Sequence, residues 1–201
     1  MWKPFALVLL IAACSRPAET PAAPVRAASP SATQSSTQSS APASVIAVTT
    51  NDGKRVVEVS PSGGDVTITY DGGVLHGRRK GEKRKYESVE VKYGDEGGFK
   101  VRTLDGKLLW KVKVTPEKIK VSDNEENKNP FELKIKDAKV KVYAPGERLL
   151  GEVRARADHV EIGETLRAAG TNAAPFYGVA LLDGVPARER AVILAELAVG
   201  H

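Results

Sequence analysis

The sequence predicts a mainly β domain: about twelve short antiparallel strands in a barrel or a sandwich, packed around one apolar C-terminal helix. Three observations predict it. Short segments with period-two alternation recur from Val45 to Ile162, separated by Gly, Asn, Asp and Pro turns, with no helical period between them. The stretch Phe99 to Val121 returns without a gap at Val140 to Ile162, so that Phe99 falls on Val140, Val101 on Val142, Leu109 on Leu150 and Val121 on Ile162. Ala187 to Val199 is apolar on nearly every side of its helical circumference, the pattern of a buried helix.

The chain has 201 residues, which suits one domain with extensions. Residues 1–13, MWKPFALVLLIAA, place Lys3 before a short apolar run. That run is well short of the roughly 20 residues that span a bilayer, so it reads as an export signal. Cys14 is the only cysteine, so neither an internal disulfide nor a thiolate cage for a metal can form. Ile11-Ala12-Ala13-Cys14 resembles the bacterial lipobox. The resemblance implies cleavage before Cys14, diacylation of its thiol and acylation of its amine, and so a lipid anchor in the cell envelope. Ser15 follows where inner-membrane retention uses Asp, which by the same resemblance points to the outer membrane. The alternative is an ordinary secretory leader with an incidental cysteine. Lipidated Cys14 and the Ala/Ser/Pro/Thr-rich segment that follows it, 14–44, lack the apolar bulk to offset chain entropy and read as a disordered tether. As a coil it reaches roughly 30 Å.

The β region is 45–163. Val45 to Val48 starts it, and Asn51-Asp52-Gly53 turns it into Lys54 to Val59. Pro61 to Gly64 turns again, Val66 to Tyr70 follows, and Asp71-Gly72 leads to Val74-Leu75-His76. The block Asp71 to Leu75 echoes Asp105 to Leu109, which suggests a third, degraded copy of the repeat. Gly77 to Lys85, GRRKGEKRK, is the densest charge cluster. It reads either as a solvated hairpin tip or as a patch for anionic lipid or another envelope polyanion, formed by Arg78, Arg79, Lys80, Lys83, Arg84 and Lys85. Tyr86 to Tyr93 is the next strand. In the opening stretch, Leu108, Trp110, Val112 and Val114 form an inner row, and the lysines between them read as solvated. Ser122 to Pro130 is a polar loop without the spacing or glycine of a calcium loop. In the second copy Leu149, Gly151, Val153 and Ala155 form a smaller inner row, open to the approach of another element.

Residues 164–201 form a helical C-terminal segment. Glu164 to Ala169 reads as a helical turn and Ala173 to Leu182 as a helix. Pro186 suits a first helical position before Ala187 to Val199, which Gly200 stops. The small row at Gly151 to Ala155 is the expected seat of this last helix, with Glu196 at its wetter edge.

The hairpin Asp105 to Val114, its copies and the helix Ala191 to Val199 resemble the tubby C-terminal, phospholipid scramblase and LURP-one-related group. The resemblance implies a twelve-stranded antiparallel barrel closed around a central helix, over Val45 to Val199. Eukaryotic members are associated with phosphoinositides or lipid movement, and no motif in this chain carries either activity over.

Chemistry-bearing patterns are few. His76, His159 and His201 are not at metal-ligand spacing, and there is no nucleophile elbow, Walker loop or dinucleotide fingerprint. The net charge of +5 becomes +4 without Lys3, and the two tryptophans, Trp2 and Trp110, leave one outside the leader. Nucleic acid is not indicated. The reading is therefore a non-enzymatic, membrane-anchored envelope lipoprotein, without cofactor or metal, whose β domain binds lipid, a polyanion or a protein partner. The alternatives are a structural component of the envelope and an enzyme acting on envelope glycan or lipid.

Overall fold

A computed structural model describes residues 45–94 and 97–200; the leader, Cys14 and the tether lie outside the described residues. Its strands are β1 (Ile46–Thr50), β2 (Arg55–Ser62), β3 (Asp65–Tyr70), β4 (Gly73–Lys80), β5 (Lys83–Lys85), β6 (Val89–Gly94) and β7 (Gly98–Thr103), then β8 (Leu108–Thr115), β9 (Lys118–Ser122), β10 (Phe131–Lys136), β11 (Lys139–Tyr143), β12 (Leu149–Ala155), β13 (His159–Ile162) and β14 (Leu166–Ala169). A short 3₁₀ turn (Pro145–Glu147) between β11 and β12, a longer stretch called here the 3₁₀ segment (Pro175–Leu181) and one helix, α1 (Ala187–Val199), complete the described elements. Each strand pairs antiparallel with its neighbour in sequence, and β14 pairs with β1 to close the barrel.

Fourteen strands form where about twelve were expected. The two additions are β5, inside the basic cluster, and β14, where the sequence suggested a helical turn. Leu166, Arg167 and Ala168 favour helix intrinsically. Tertiary pairing overrides that preference. Val48 lies opposite Ala168, and Val160 lies opposite Ala168 from the other side, so β14 satisfies two strand edges at once.

The repeat is a matched pair of bulged hairpins. Val101 pairs with Trp110 and Arg102 with Leu108; at the equivalent positions Val142 pairs with Gly151 and Tyr143 with Leu149. The third copy lies at β1–β2, where Val48 pairs with Val57 and Thr49 with Arg55 across the same bulge. Thr50 and Thr103 both receive a backbone hydrogen bond from the glycine three residues on, and donate their own N–H to Lys54 and Lys107. The Asp71 to Leu75 block is an ordinary tight turn between Tyr70 and Gly73, without a bulge, so the echo there is not the repeat. The bulge also corrects the inner rows. An extra residue reverses the facing of those before it. Leu149 therefore stands 51% exposed on the outer side. Ala155 keeps its register opposite Val160 and is exposed where β12 ends.

The inner faces carry Val48, Val59, Ile68, Val91, Val101, Val121, Leu133, Val142, Val153 and Val160, all fully buried. Each such side chain contributes about 1.5–3 kcal/mol through burial. The outer faces carry Lys and Glu, the reverse of the apolar outer band of a transmembrane barrel. No helix among the described residues is long and apolar enough to cross a membrane.

The 3₁₀ segment and α1 fill the interior. α1 packs on β2, β3 and the 3₁₀ segment, which packs in turn on β10 to β13. The small row of β12 is thus met by the 3₁₀ segment rather than by α1: a Cβ on Gly151 would lie 3.1 Å from Leu181 Cδ1. Ala173 to Leu182 forms the short 3₁₀ segment instead of the expected helix, and Gly178 lets it approach Leu133 and Val142.

Close approach makes one glycine indispensable. A Cβ on Gly98 would sit 2.4 Å from the Val112 carbonyl oxygen, whereas one on Gly94 would meet nothing nearer than 3.7 Å. Gly98→Ala should lower stability by about 1–3 kcal/mol in urea unfolding, and Gly94→Ala should leave it nearly unchanged.

Candidate functional site

The basic cluster divides between two faces because strand side chains alternate. Arg79 and Arg84 lie opposite each other on the inner face. Arg84 is 2% exposed, so it leaves the anionic-ligand patch that the sequence assigned it to. Its Nη1 donates to Glu196 Oε2 at 2.8 Å and its Nη2 to the Gly64 carbonyl at 3.0 Å. The hydroxyls of Tyr86 and Tyr93 donate to Glu196 Oε1 and Oε2. Glu196 is fully buried, not at a wet edge. Three groups, from β5, its flank and β6, thus share one carboxylate of α1. Gly77 makes room for them: a Cβ there would fall 2.6 Å from the Tyr86 ring. The Arg79 guanidinium stands 4.9 Å from the Tyr93 ring centroid and closes the cluster.

Burial pulls the Arg84 pKa down, but the Glu196 charge beside it leaves the guanidinium above its ordinary value. Burial, then the Glu196 charge, pushes both phenols well above the ordinary 10.0. This cluster is structural chemistry: both oxygens of the buried carboxylate are occupied by the protein's own donors.

Arg78, Lys80, Lys83 and Lys85 lie on the outer face, with Arg78 opposite Lys85 and Lys80 opposite Lys83. The row does not stop there. Lys83 lies opposite Lys92, Lys92 opposite Lys100, and Lys100 opposite Lys111. Five lysines from five consecutive strands therefore stand side by side, across about 19 Å at the usual strand spacing. Lys118, Lys134 and Lys141 form a second row on β9 to β11. Like charges directly opposite destabilise a sheet. On the other side of the barrel the same kind of row alternates in sign, Arg154 opposite Glu161 and Glu161 opposite Arg167.

A few acids hold the lysine rows together. Glu90 pairs with Lys83 at 2.7 Å and Lys85 at 3.7 Å, and Glu132 with Lys120 at 3.0 Å. Glu125, in the polar loop before β10, pairs with Lys100 and Arg102, both at 2.7 Å. Hydrogen bonds from Lys83, Lys120 and Lys100 hold the carboxyls of Glu90, Glu132 and Glu125 below the usual range. Lys80 and Lys92 pair with no described acid. An open cleft of about 650 Å³ runs along this wall between Lys92, Lys100, Arg102, Lys111 and Lys113, over Gly94 and Gly98, with Glu82 at its side.

Of the three histidines, His201 lies outside the described residues, and the other two bind neighbours outside the lysine row. His76 Nδ1 lies 3.3 Å from Thr67 Oγ1, and His159 Nδ1 lies 2.7 Å from Asp158 Oδ1. Among the described residues no group of three or more His, Cys, Asp or Glu is placed to hold a metal ion.

Compared with known proteins, the chain matches no family model, no curated protein and no solved structure.

Lys92, Lys100, Lys111 and Glu125 are the residues that reading the sequence missed. Each strand alone shows ordinary alternation. Only the pairing register reveals that the lysines fall in one line.

Removing one partner of the buried pair leaves a bare charge. Arg84→Met should cost about 3–5 kcal/mol in urea unfolding. The phenols add a pH dependence. Above the ordinary 10.0 the folded chain keeps protons that the unfolded chain has lost, so stability falls as pH rises past it. Tyr86→Phe should flatten that alkaline loss in a pH series of unfolding curves; an unchanged slope would contradict the assignment.

Proposed function

We propose that the protein is a non-enzymatic lipoprotein of the bacterial envelope, anchored through acylated Cys14, whose barrel lays its lysine wall on an anionic lipid surface. The observation that carries this reading is the in-register row Lys80, Lys83, Lys92, Lys100 and Lys111. Such a row opposes the sheet's own stability, and an external anionic surface relieves it. Near an anionic membrane each lysine contributes about 1 kcal/mol. The lipobox supplies the membrane, and the tether of roughly 30 Å gives the barrel reach to turn its wall toward it. The outer-membrane placement rests on Ser15 alone.

The other readings gain less support. Docking by strand addition needs an open edge, and the closed barrel offers none among the described strands. An enzyme needs converging groups at a pocket. The interior is occupied by Val192, Ile193 and Leu194; of the two buried acids of α1, Glu196 is spent on Arg84 and two tyrosines and Glu189 pairs with Arg188.

Two measurements test the proposal. In cells, Cys14→Ser should release the chain from the membrane fraction; retention of the variant through a lipid would contradict the anchor. In vitro, the full-length Cys14→Ser chain should bind phosphatidylglycerol vesicles and lose binding as salt rises. Reversing Lys92 and Lys100 to Glu should weaken binding roughly ten-fold or more at low salt. Reversing Arg154 and Arg167 should change it little. Equal losses from both pairs, or binding indifferent to salt, would overturn the wall as the docking face.

A further inference from the structure

Three of the cations that line the cleft, Lys100, Arg102 and Lys111, already bind an anionic residue of the protein's own. It is Glu125, in the loop between β9 and β10. One carboxylate oxygen meets Lys100 Nζ and the other meets Arg102 Nη2, both at 2.7 Å. The backbone carbonyl of the same residue accepts from Lys111 Nζ. Arg102 is held in place by a second bond, Nη1 to the Gly106 carbonyl at 2.8 Å. Three basic side chains from two strands therefore converge on one acidic residue.

The loop is built to present that residue. Ser122 Oγ donates to the Asn124 carbonyl at 3.1 Å. Asn124 accepts from the Lys128 backbone N–H at 2.7 Å and donates to the Lys128 carbonyl at 2.8 Å. Asn127 and Asn129 take left-handed conformations, φ 59° and 47°, which asparagine tolerates better than most residues. Glu125 itself remains 45% exposed at its side chain, so it covers the cations without sealing them. Lys92, next in the row, makes no ion pair with a described acid, and against Glu82 the cleft's described lining sets Lys92, Lys100, Arg102, Lys111 and Lys113, an excess of positive charge for a ligand larger than a carboxylate.

Arg and Lys in this arrangement suit a phosphoryl group, whose oxygens accept from a guanidinium fork and from point charges together. We propose that Lys100, Arg102 and Lys111, beside the cleft along β6 to β8, form a phosphoryl-binding site that Glu125 occupies, and that an incoming phosphate displaces the Glu125 carboxylate from Lys100 and Arg102. The inference rests on the lysine wall being the docking face, and it names the group that the wall reads. Glu125 then sets a threshold: a surface of sparse charge leaves it in place, and a phosphate-dense one removes it.

The test uses the full-length Cys14→Ser chain with phosphatidate vesicles and, separately, inorganic pyrophosphate. Glu125→Gln keeps the shape and removes the competing charge, so it should tighten binding about five-fold. Glu126→Gln changes the same net charge on the neighbouring exposed residue and should leave affinity unchanged. Lys100→Gln should abolish the gain from Glu125→Gln. Tightening for vesicles that pyrophosphate competes away assigns a phosphate readable in solution; tightening that pyrophosphate does not affect assigns a lipid headgroup. Equal gains from Glu125→Gln and Glu126→Gln, or none from either while the wild type still binds vesicles, would overturn the displacement and leave the docking wall intact. Loss of vesicle binding by every form, with pyrophosphate still bound more tightly by Glu125→Gln, would sink the docking wall and keep the site.

Discussion

The buried contact between Arg84 and Glu196 is the constraint on which the rest of the structure depends. It joins the last turn of α1 to β5, the shortest strand of the wall. A buried ion pair of this kind is weak as a source of stability, because desolvation offsets most of its attraction, but strong as a specifier. A helix as evenly apolar as α1 slides and rotates in an apolar barrel at little cost. One carboxylate that must find a guanidinium and two phenols admits a single depth and a single rotation. With α1 fixed, the 3₁₀ segment fills the opposite side against β10 to β13, and the fourteen strands close around a solid interior.

That closure determines the outer charge. In a meander every strand is held by both neighbours, and a one-residue slip would turn every inner valine outward. The inner face fixes the register, and the outer face inherits it. Lysines that are unremarkable along their own strands thereby become opposite neighbours on β4 to β8. The result is a conflict between local electrostatics and global fold, and conflicts of this kind gather at functional surfaces. Glu90, Glu125 and Glu132 moderate it from within. A negative surface moderates it from outside.

Much of the fold is legible in the chain. Alternation marks twelve of the strands, the repeat marks the paired hairpins, and the apolar circumference of Ala187 to Val199 marks a buried helix. What escapes is what depends on partners. Leu166 to Ala169 has a helical composition and becomes a strand because β1 and β13 would otherwise be left with open edges. Leu149 faces out because a bulge, invisible in the alternation, reverses it. The charge cluster at Arg78 to Lys85 is legible as a cluster, but not its division into a buried Arg84 and an outer quartet, which needs the pairing of β4 with β5. Glu196 is legible as an anomaly in its helix; its partners, more than a hundred residues earlier, are not.

The central claim is that one side of the barrel meets an anionic membrane. Backbone amide signals of the isotopically labelled protein, recorded on phosphatidylglycerol nanodiscs with and without spin-labelled lipid, test it most directly. The account predicts that amides of β5 to β8 broaden strongly while those of β12 to β14 keep their intensity. Uniform broadening around the barrel, or broadening confined to β12 to β14, would contradict it.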